Sequence, residues 1–100
     1  MRRVVVLDEA ARDMEEARGF YDAQEPGIGD YCVTSLLGDI ESLVLYHGFH
    51  RKQFGCFRML ASRFPFGVYY LDVARETRVI AVLDLRREPS WIRRKVSRRR

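Results

Sequence analysis

The clearest periodic signal in the chain is the run Val33-Thr34-Ser35-Leu36-Leu37-Gly38-Asp39-Ile40-Glu41-Ser42-Leu43-Val44. Apolar side chains recur in it at intervals of three and four residues, the period of a helix with one buried face. The pattern predicts a helix over residues 30–47, with Gly48 as its C-terminal cap. Leu37 belongs to the predicted buried face, so its truncation to Ala is expected to cost about 2–5 kcal/mol.

A second helical pattern precedes this one and predicts a helix over residues 9–24. Its apolar positions are Ala10, Met14, Ala17 and Tyr21. Asp8 is expected to cap the N-terminus, and Asp13 is expected among the acidic residues on the solvent side. The breaker cluster Glu25-Pro26-Gly27-Ile28-Gly29 follows directly. A connection this short predicts that the two helices form an antiparallel hairpin.

The patterns outside the hairpin indicate strands and one more helix. Runs typical of strands are found at 4–7, 57–61, 65–71 and 78–85. The last three are joined by connections short enough to require antiparallel pairing. Pro89 suits the first turn of a final helix, from which Trp91 and Ile92 are expected to pack against the sheet. The order β-α-α-β-β-β predicts an α+β fold, with a helical hairpin on a small antiparallel sheet and a short C-terminal helix.

Length and composition narrow the class of protein. The 100 residues, 47% hydrophobic and 32% charged, are typical of one small globular domain rather than of a disordered chain. No apolar run approaches the roughly 18 residues of a membrane span. Asp8 and Glu9 interrupt the apolar start, so we expect no secretory signal and no membrane association. Cys32 and Cys56 are then expected to be reduced, buried side chains in the cytoplasm.

Charge is distributed unevenly along the chain. Residues 86–100 contain eight basic side chains and one acid, whereas residues 1–85 contain ten basic and thirteen acidic side chains. This contrast suggests a domain at 1–97 and a basic tail at 98–100. Such a tail attracts polyanions or an acidic protein face, and the alternative is a solvated, frayed terminus that serves solubility.

Motifs of the common enzyme and metal-binding classes are absent from the sequence. His47 and His50 have no nearby third ligand, so no metal site is predicted. The sequence contains no phosphate-binding loop and no nucleophile elbow, and no cofactor is predicted. Arginines and aromatic side chains around the sheet remain. They suit phosphate binding and base stacking, or else form a core with solvated arginines at its border.

Two segments give the chain a resemblance to a known family. They are Arg63-Phe64-Pro65-Phe66-Gly67-Val68-Tyr69-Tyr70 and Ile80-Ala81-Val82-Leu83-Asp84-Leu85-Arg86-Arg87-Glu88-Pro89-Ser90-Trp91. Together with the hairpin, they make the chain resemble the toxins of type II toxin–antitoxin modules in the RelE/ParE superfamily. The likeness extends over nearly the whole chain in order, and it is greater to the ParE branch than to the RelE branch.

The resemblance implies a bacterial growth inhibitor of the kind found in plasmid stabilisation modules, made beside an antitoxin that is often of ribbon-helix-helix type. The antitoxin would block the toxin along the helical hairpin and the sheet edge, in a hetero-oligomer. Operator DNA would be bound by the antitoxin, so this chain would meet it only indirectly. ParE-branch members inhibit DNA gyrase. The candidate target-binding residues are Arg58, Arg63, Tyr70, Arg86, Arg87 and Trp91.

The alternative implied by the resemblance is a RelE-like, ribosome-dependent mRNA endoribonuclease. Arg87 falls where that branch keeps an Arg after its last strand, Arg63 lies near a second such position, and Lys52 stands in for a basic residue of the preceding loop. Residues 86–100 contain no Tyr, which RelE-branch members usually carry there. RNA cleavage needs a proton acceptor, and a lysine is a poor base at neutral pH. Gyrase inhibition by binding, without covalent chemistry, is therefore favoured.

Overall fold

A five-stranded sheet with helices on both faces forms the fold in the computed structural model, which describes residues 2–100. Its elements are β1 (Arg3–Val6), α1 (Asp8–Gln24), α2 (Ile28–Glu41), α3 (Leu43–Tyr46), β2 (Arg51–Gln53), β3 (Cys56–Leu60), β4 (Phe66–Val73), β5 (Glu76–Asp84) and α4 (Pro89–Arg99). The strand order is β1-β5-β4-β3-β2. Within this described range, no helix is both long and apolar enough to cross a membrane.

The predicted α+β fold with a helical hairpin on the sheet is confirmed, and two features of the sheet differ from the prediction. The sheet is mixed, because β1 pairs in parallel with β5 while the other neighbours are antiparallel. The strand β2 was not predicted, since three polar residues carry no alternating pattern. A two-residue turn at Phe54 and Gly55, with φ of 57° and 82°, joins it to β3.

A carboxylate and a glycine fix the connection between α1 and α2. Asp22 accepts hydrogen bonds from the backbone N–H groups of Gly27, at 3.2 Å, and Gly29, at 2.7 Å. A Cβ atom at Gly29 would overlap the Arg18 carbonyl oxygen of α1. The two helices therefore approach one another most closely where a side chain is missing, and the predicted hairpin is confirmed.

The second helix differs from the predicted span of 30–47. Helix α2 begins at Ile28 and ends at Glu41, and α3 follows after Ser42. The Ser42 hydroxyl donates to the Asp39 carbonyl at 2.5 Å, a back-bond that bends helices. Gly48 is not a helix cap. It occupies the third position of a turn with φ of 82°, closed by the Phe49 N–H donating to the Tyr46 carbonyl at 3.2 Å.

Three hairpin residues differ from the predicted assignment. Leu37 is 46% exposed, because the buried face of α2 passes through Leu36 and Ile40. The expected cost of its truncation therefore does not apply. Asp13 was predicted on the solvent side, but it lies three residues after Ala10, on the buried stripe of α1. Asp8 is the first residue of α1 and not its cap, a position that the apolar Leu7 occupies.

The sheet separates two apolar layers. The hairpin packs on one face, where the largest fully buried side chains include Leu36, Leu43 and Tyr70. Helix α4 packs on the other face, where Ile92 and Val96 are buried. The predicted first-turn position of Pro89 is confirmed.

The sequence division into a domain at 1–97 and a tail at 98–100 stays a prediction. The structure places Arg98 and Arg99 within the last turn of α4. Arg99 is held there by acidic partners on α1, so its side chain is not the solvated, frayed end considered above.

Candidate functional site

The edge of β5 is only partly covered by another strand. β1 pairs with the first four residues, Glu76–Val79. The last hydrogen bond on this side joins the Leu7 N–H to the Val79 carbonyl at 3.0 Å, and the chain leaves the sheet after Leu7. Among residues 2–100, no strand continues along this side of β5 from Ile80 to Asp84. Backbone groups on such an edge need partners from elsewhere.

Two charged side chains take the place of a strand at this edge. Asp13 of α1 accepts the Val82 N–H at 2.9 Å, and Arg99 of α4 donates to the Ile80 carbonyl at 3.2 Å. The two side chains also pair with each other through bonds of 2.5 Å and 3.1 Å. Both are buried, with 7% and 8% of the side chain exposed. This Asp13–Arg99 clamp joins helices that lie on opposite faces of the sheet.

The pairing stabilises the charged form of the arginine. The hydrogen bonds that Arg99 donates to Asp13 raise the pKa of Arg99, and the nearby charge of Glu9 raises it further. A carboxylate between a guanidinium and a backbone N–H has most of its lone pairs satisfied, which is the condition under which a buried ion pair is tolerated. The clamp is thus a structural device, and its two charges are not free to act on a ligand.

Beyond the clamp, the edge of β5 opens into a cavity of about 270 Å³, which we call the edge groove. It is lined by Asp13, Glu16, Ala17, Phe20, Phe66, Val82, Leu83, Asp84, Arg87, Trp91 and Lys95. Phe20 of α1 is 53% exposed, so an aromatic surface is available within the groove. The groove therefore combines apolar surface with charges of both signs, beside a strand edge that the clamp occupies.

Two arginines follow β5 and have different neighbours. Arg86 donates hydrogen bonds to the Asp84 carboxylate from Nη2 at 2.7 Å and from Nε at 3.0 Å. These bonds lower the pKa of Asp84 and raise the pKa of Arg86. Arg87 has no carboxylate within 4.0 Å among residues 2–100. Its guanidinium lies 3.8 Å from the centre of the Trp91 ring. Of the two arginines, Arg87 is the one whose guanidinium is not already paired with a carboxylate.

Three of the predicted contact residues lie close together, and Arg58 lies apart from them. Arg86, Arg87 and Trp91 adjoin or line the edge groove. Arg58 is a half-buried residue of β3, on the sheet face opposite Met59. It stands next to Tyr69, whose pKa is raised by burial and lowered in part by this guanidinium.

Tyr70 has no access to a partner. Its ring stacks on Phe57, with ring centres 5.1 Å apart, within the hairpin-side layer. Its hydroxyl accepts the Gly48 N–H at 2.9 Å and bonds to Nδ1 of His50 at 2.6 Å. The side chain is fully buried, and burial raises its pKa. We therefore assign Tyr70 to the core and remove it from the contact residues.

The three residues of the nuclease alternative do not converge. Arg63 lies in the β3–β4 connection, 5.9 Å from the ring centre of Tyr31 on α2. Lys52 lies on β2, over Phe57. β2 is three strand positions from β5, which is about 14 Å at the usual strand spacing. Arg87 lies after β5, so Lys52 does not share a site with it.

The two histidines are engaged in separate polar contacts. Nδ1 of His47 lies 2.8 Å from Asp72, whose other carboxylate oxygen accepts from Thr77 at 2.6 Å. Burial lowers the pKa of His50, which bonds to the Tyr70 hydroxyl. In the range 2–100, no three His, Cys, Asp or Glu side chains are grouped as metal ligands would be.

Sequence reasoning missed the clamp and half of the groove. Asp13 was overlooked because it was assigned by charge instead of by its position between Ala10 and Ala17 on α1. Arg99 lies in a run of arginines that looks uniform in sequence, and nothing local distinguishes it. Phe20 lies just outside the apolar stripe of α1, and a single exposed aromatic gives no signal of a groove.

Comparison with known proteins identifies the fold. No protein-family model matches the chain, and no curated protein matches it significantly. A chain in the solved structure of the chromosomal ParDE TA system from P. aeruginosa is similar, with a TM-score of 0.74 and 15% identity. The match covers 82% of this chain and 94% of that one. The two chains share one fold. The ParE-like α+β fold implied by the resemblance is thereby confirmed.

Proposed function

We propose that this chain is the toxin of a type II toxin–antitoxin module, and that it arrests growth by binding DNA gyrase. The observation that carries the proposal is the ParE-like fold, which matches 94% of a chain from the ParDE TA system. Fold alone does not fix function, so the residues of the site must support it as well.

The residues around the edge groove favour binding over bond breaking. Arg87 and Trp91 form a stacked cation and ring at the exposed end of β5, a surface that suits a protein hot spot. Lys52, the candidate base of the nuclease alternative, lies on β2, three strand positions from β5, and so cannot act beside Arg87. We therefore rank gyrase inhibition above RelE-like nuclease activity, with Arg86, Arg87 and Trp91 as the target contacts.

The same groove supports an antitoxin as partner. Its wall includes the exposed ring of Phe20, on which an amphipathic helix would pack. A peptide that adds a strand to β5 would instead have to displace the Asp13–Arg99 clamp from the strand edge. Apolar side chains of the antitoxin would cover Phe20, and acidic ones would reach Arg87 and Lys95. A ribbon-helix-helix antitoxin would supply this segment from its C-terminus.

The chain would reside in the cytoplasm, where its antitoxin would hold it inactive. Cys32 packs on the hairpin side of the sheet and Cys56 on the α4 side, and both are free. Two thiols separated by a sheet cannot pair, so the fold does not require an oxidising compartment.

Induced expression in a bacterial host tests the proposed target. We expect growth arrest with an induced DNA-damage response and intact transcripts, and loss of supercoiling activity when purified chain is added to gyrase in about micromolar excess. Codon-phased cuts in cellular mRNA, mapped by primer extension, would instead support the nuclease alternative. Expression without arrest would refute both.

Antitoxin binding is tested by a matched pair of aromatic variants. Phe20→Ala, within the edge groove, should weaken binding of the antitoxin encoded beside this gene by at least about 10-fold. Phe49→Ala removes a ring that is more exposed and lies outside the groove, so it should leave the affinity unchanged. Equal affinities for the two variants would place the antitoxin elsewhere.

A further inference from the structure

We propose that the exposed surface of α4 binds the phosphate backbone of duplex DNA directly. The proposal goes beyond gyrase inhibition and differs from the expectation that this chain meets operator DNA only through an antitoxin. Helix α4 carries five basic side chains and no acidic one between Pro89 and Arg99. That composition makes α4 the most strongly basic element of the fold, with Arg94 and Arg98 on its outer face and the other unpaired cations on its flanks.

Most of the positive charges near α4 are not neutralised within the chain. Of the eight basic residues in 86–100, Arg86 and Arg99 have a carboxylate within 4.0 Å, and no described residue supplies one to the others. The six unpaired cations, which we call the α4 basic surface, are Arg87, Arg93, Arg94, Lys95, Arg98 and Arg100. Like charges this close repel one another, so a polyanion placed across them gains from every one.

Aromatic rings and a glycine hold several of these cations in place. Arg93 lies 5.6 Å from the ring centre of Phe54, and Arg87 and Lys95 lie 3.8 Å and 5.2 Å from that of Trp91. The Arg100 guanidinium lies against Gly55, where a side chain on that residue would collide with it. Cations held by packing lose little freedom on binding, and the guanidinium fork matches phosphate oxygens.

The same contacts favour a duplex over a single strand. Proteins that bind single-stranded nucleic acid stack bases on free aromatic faces. Trp91 and Phe54 already have cations over their rings, so they offer no open platform. The α4 basic surface is therefore suited to phosphates and not to bases.

The shape of the surface favours DNA over duplex RNA. Helix α4 has 11 residues and is about 16 Å long, which covers roughly ten charges of a duplex at one per 1.7 Å. Ile92 and Val96 face the sheet, and Arg94 and Arg98 are exposed on the outer side. The wide major groove of B-DNA admits an α-helix, whereas that of A-form RNA is too narrow.

Fluorescence anisotropy with a labelled DNA duplex of about 20 base pairs and arbitrary sequence tests the proposal on the full chain. If about four cations contact phosphates, raising salt from about 50 to about 200 mM should weaken binding roughly 100-fold. The double variant Arg94→Gln/Arg98→Gln removes two contacts, so the same change in salt should then weaken binding only roughly 10-fold.

A charge-matched control separates the surface from net charge. Arg12→Gln/Arg75→Gln removes two exposed arginines on α1 and the β4–β5 turn, and it should keep the full salt dependence. Equal effects of the two double variants, absence of binding at about 50 mM salt, or tighter binding to RNA of equal length would each overturn the proposal. Gyrase is absent from this assay, so its result does not depend on the proposed target.

Discussion

The two faces of the sheet are held together by different forces. The hairpin face rests on large, fully buried apolar side chains such as Leu36, Leu43 and Tyr70. The α4 face has a smaller apolar layer and adds the Asp13–Arg99 clamp at the edge of β5. A buried ion pair therefore adds to apolar burial in holding α4 on the sheet. The edge groove opens between the two faces, because both α1 and α4 line it, and the unpaired positive charge lies on α4.

Breaking the clamp should have the largest effect on stability. Asp13→Asn leaves Arg99 buried without its counter-charge, and we expect a loss of about 3–5 kcal/mol in the free energy of unfolding, measured by urea denaturation. The double variant Asp13→Asn/Arg99→Gln should lose less than the sum of the two single changes. Additive losses would mean that the pair is not coupled.

Two neighbouring leucines of α2 sharpen the contrast between core and surface. Leu36→Ala should cost about 2–5 kcal/mol, because that side chain is fully buried on the hairpin face. Leu37→Ala removes the same atoms from a half-exposed position and should cost about 0.5 kcal/mol. Equal costs in urea titrations would show that the periodicity of the sequence, and not the structure, assigns the buried face correctly.

The hairpin face should respond to pH through His50. Burial lowers the pKa of this side chain from its ordinary value of 6.5, so the unfolded chain binds more protons just below that pH. Stability should therefore fall as the pH drops through 6.5, by less than either change above. His50→Gln should flatten this part of the profile, measured by urea denaturation at a series of pH values. An unchanged slope in His50→Gln would contradict the assignment.

Arg87→Ala should have a small effect on stability and a large one on growth. The residue is exposed and its contact with Trp91 is worth about 0.5–1 kcal/mol. Thermal unfolding should therefore change little, while growth arrest on induction should be relieved. Arg75→Ala, an exposed arginine away from the groove, serves as the control. Full toxicity of Arg87→Ala would exclude that residue from target contact.

Local sequence patterns predicted most of the helices and strands. The features that they missed depend on side-chain contacts that a local pattern does not show. The hairpin followed from apolar spacing and the cluster at 25–29, and the antiparallel order of β3, β4 and β5 followed from short connections. The break at Ser42 depends on a side-chain hydrogen bond that competes with helix continuation, which periodicity does not reveal.

The candidate site was predicted in part for the same reason. Arg87 and Trp91 are four residues apart at the start of α4, so their contact follows from the local chain and can be predicted from sequence. The clamp joins residues separated by 86 positions, and only the tertiary fold brings them together. Arg63 and Tyr70 belong to the same pattern of arginines and aromatic residues as Arg87 and Trp91. In the structure, however, Arg63 lies beside Tyr31 of α2, and Tyr70 lies in the core.

The hydrogen bond from the Val82 N–H to the Asp13 carboxylate allows one backbone amide to report, through hydrogen exchange, on local movement at the edge of β5. Other amides of β5 are protected by neighbouring strands and exchange with deuterium when those strands separate. The Val82 amide is released as soon as the carboxylate moves away. Its exchange rate therefore records the movement of Asp13 and helix α1 away from the strand, separately from global unfolding, and a ligand that keeps the clamp closed would slow the exchange.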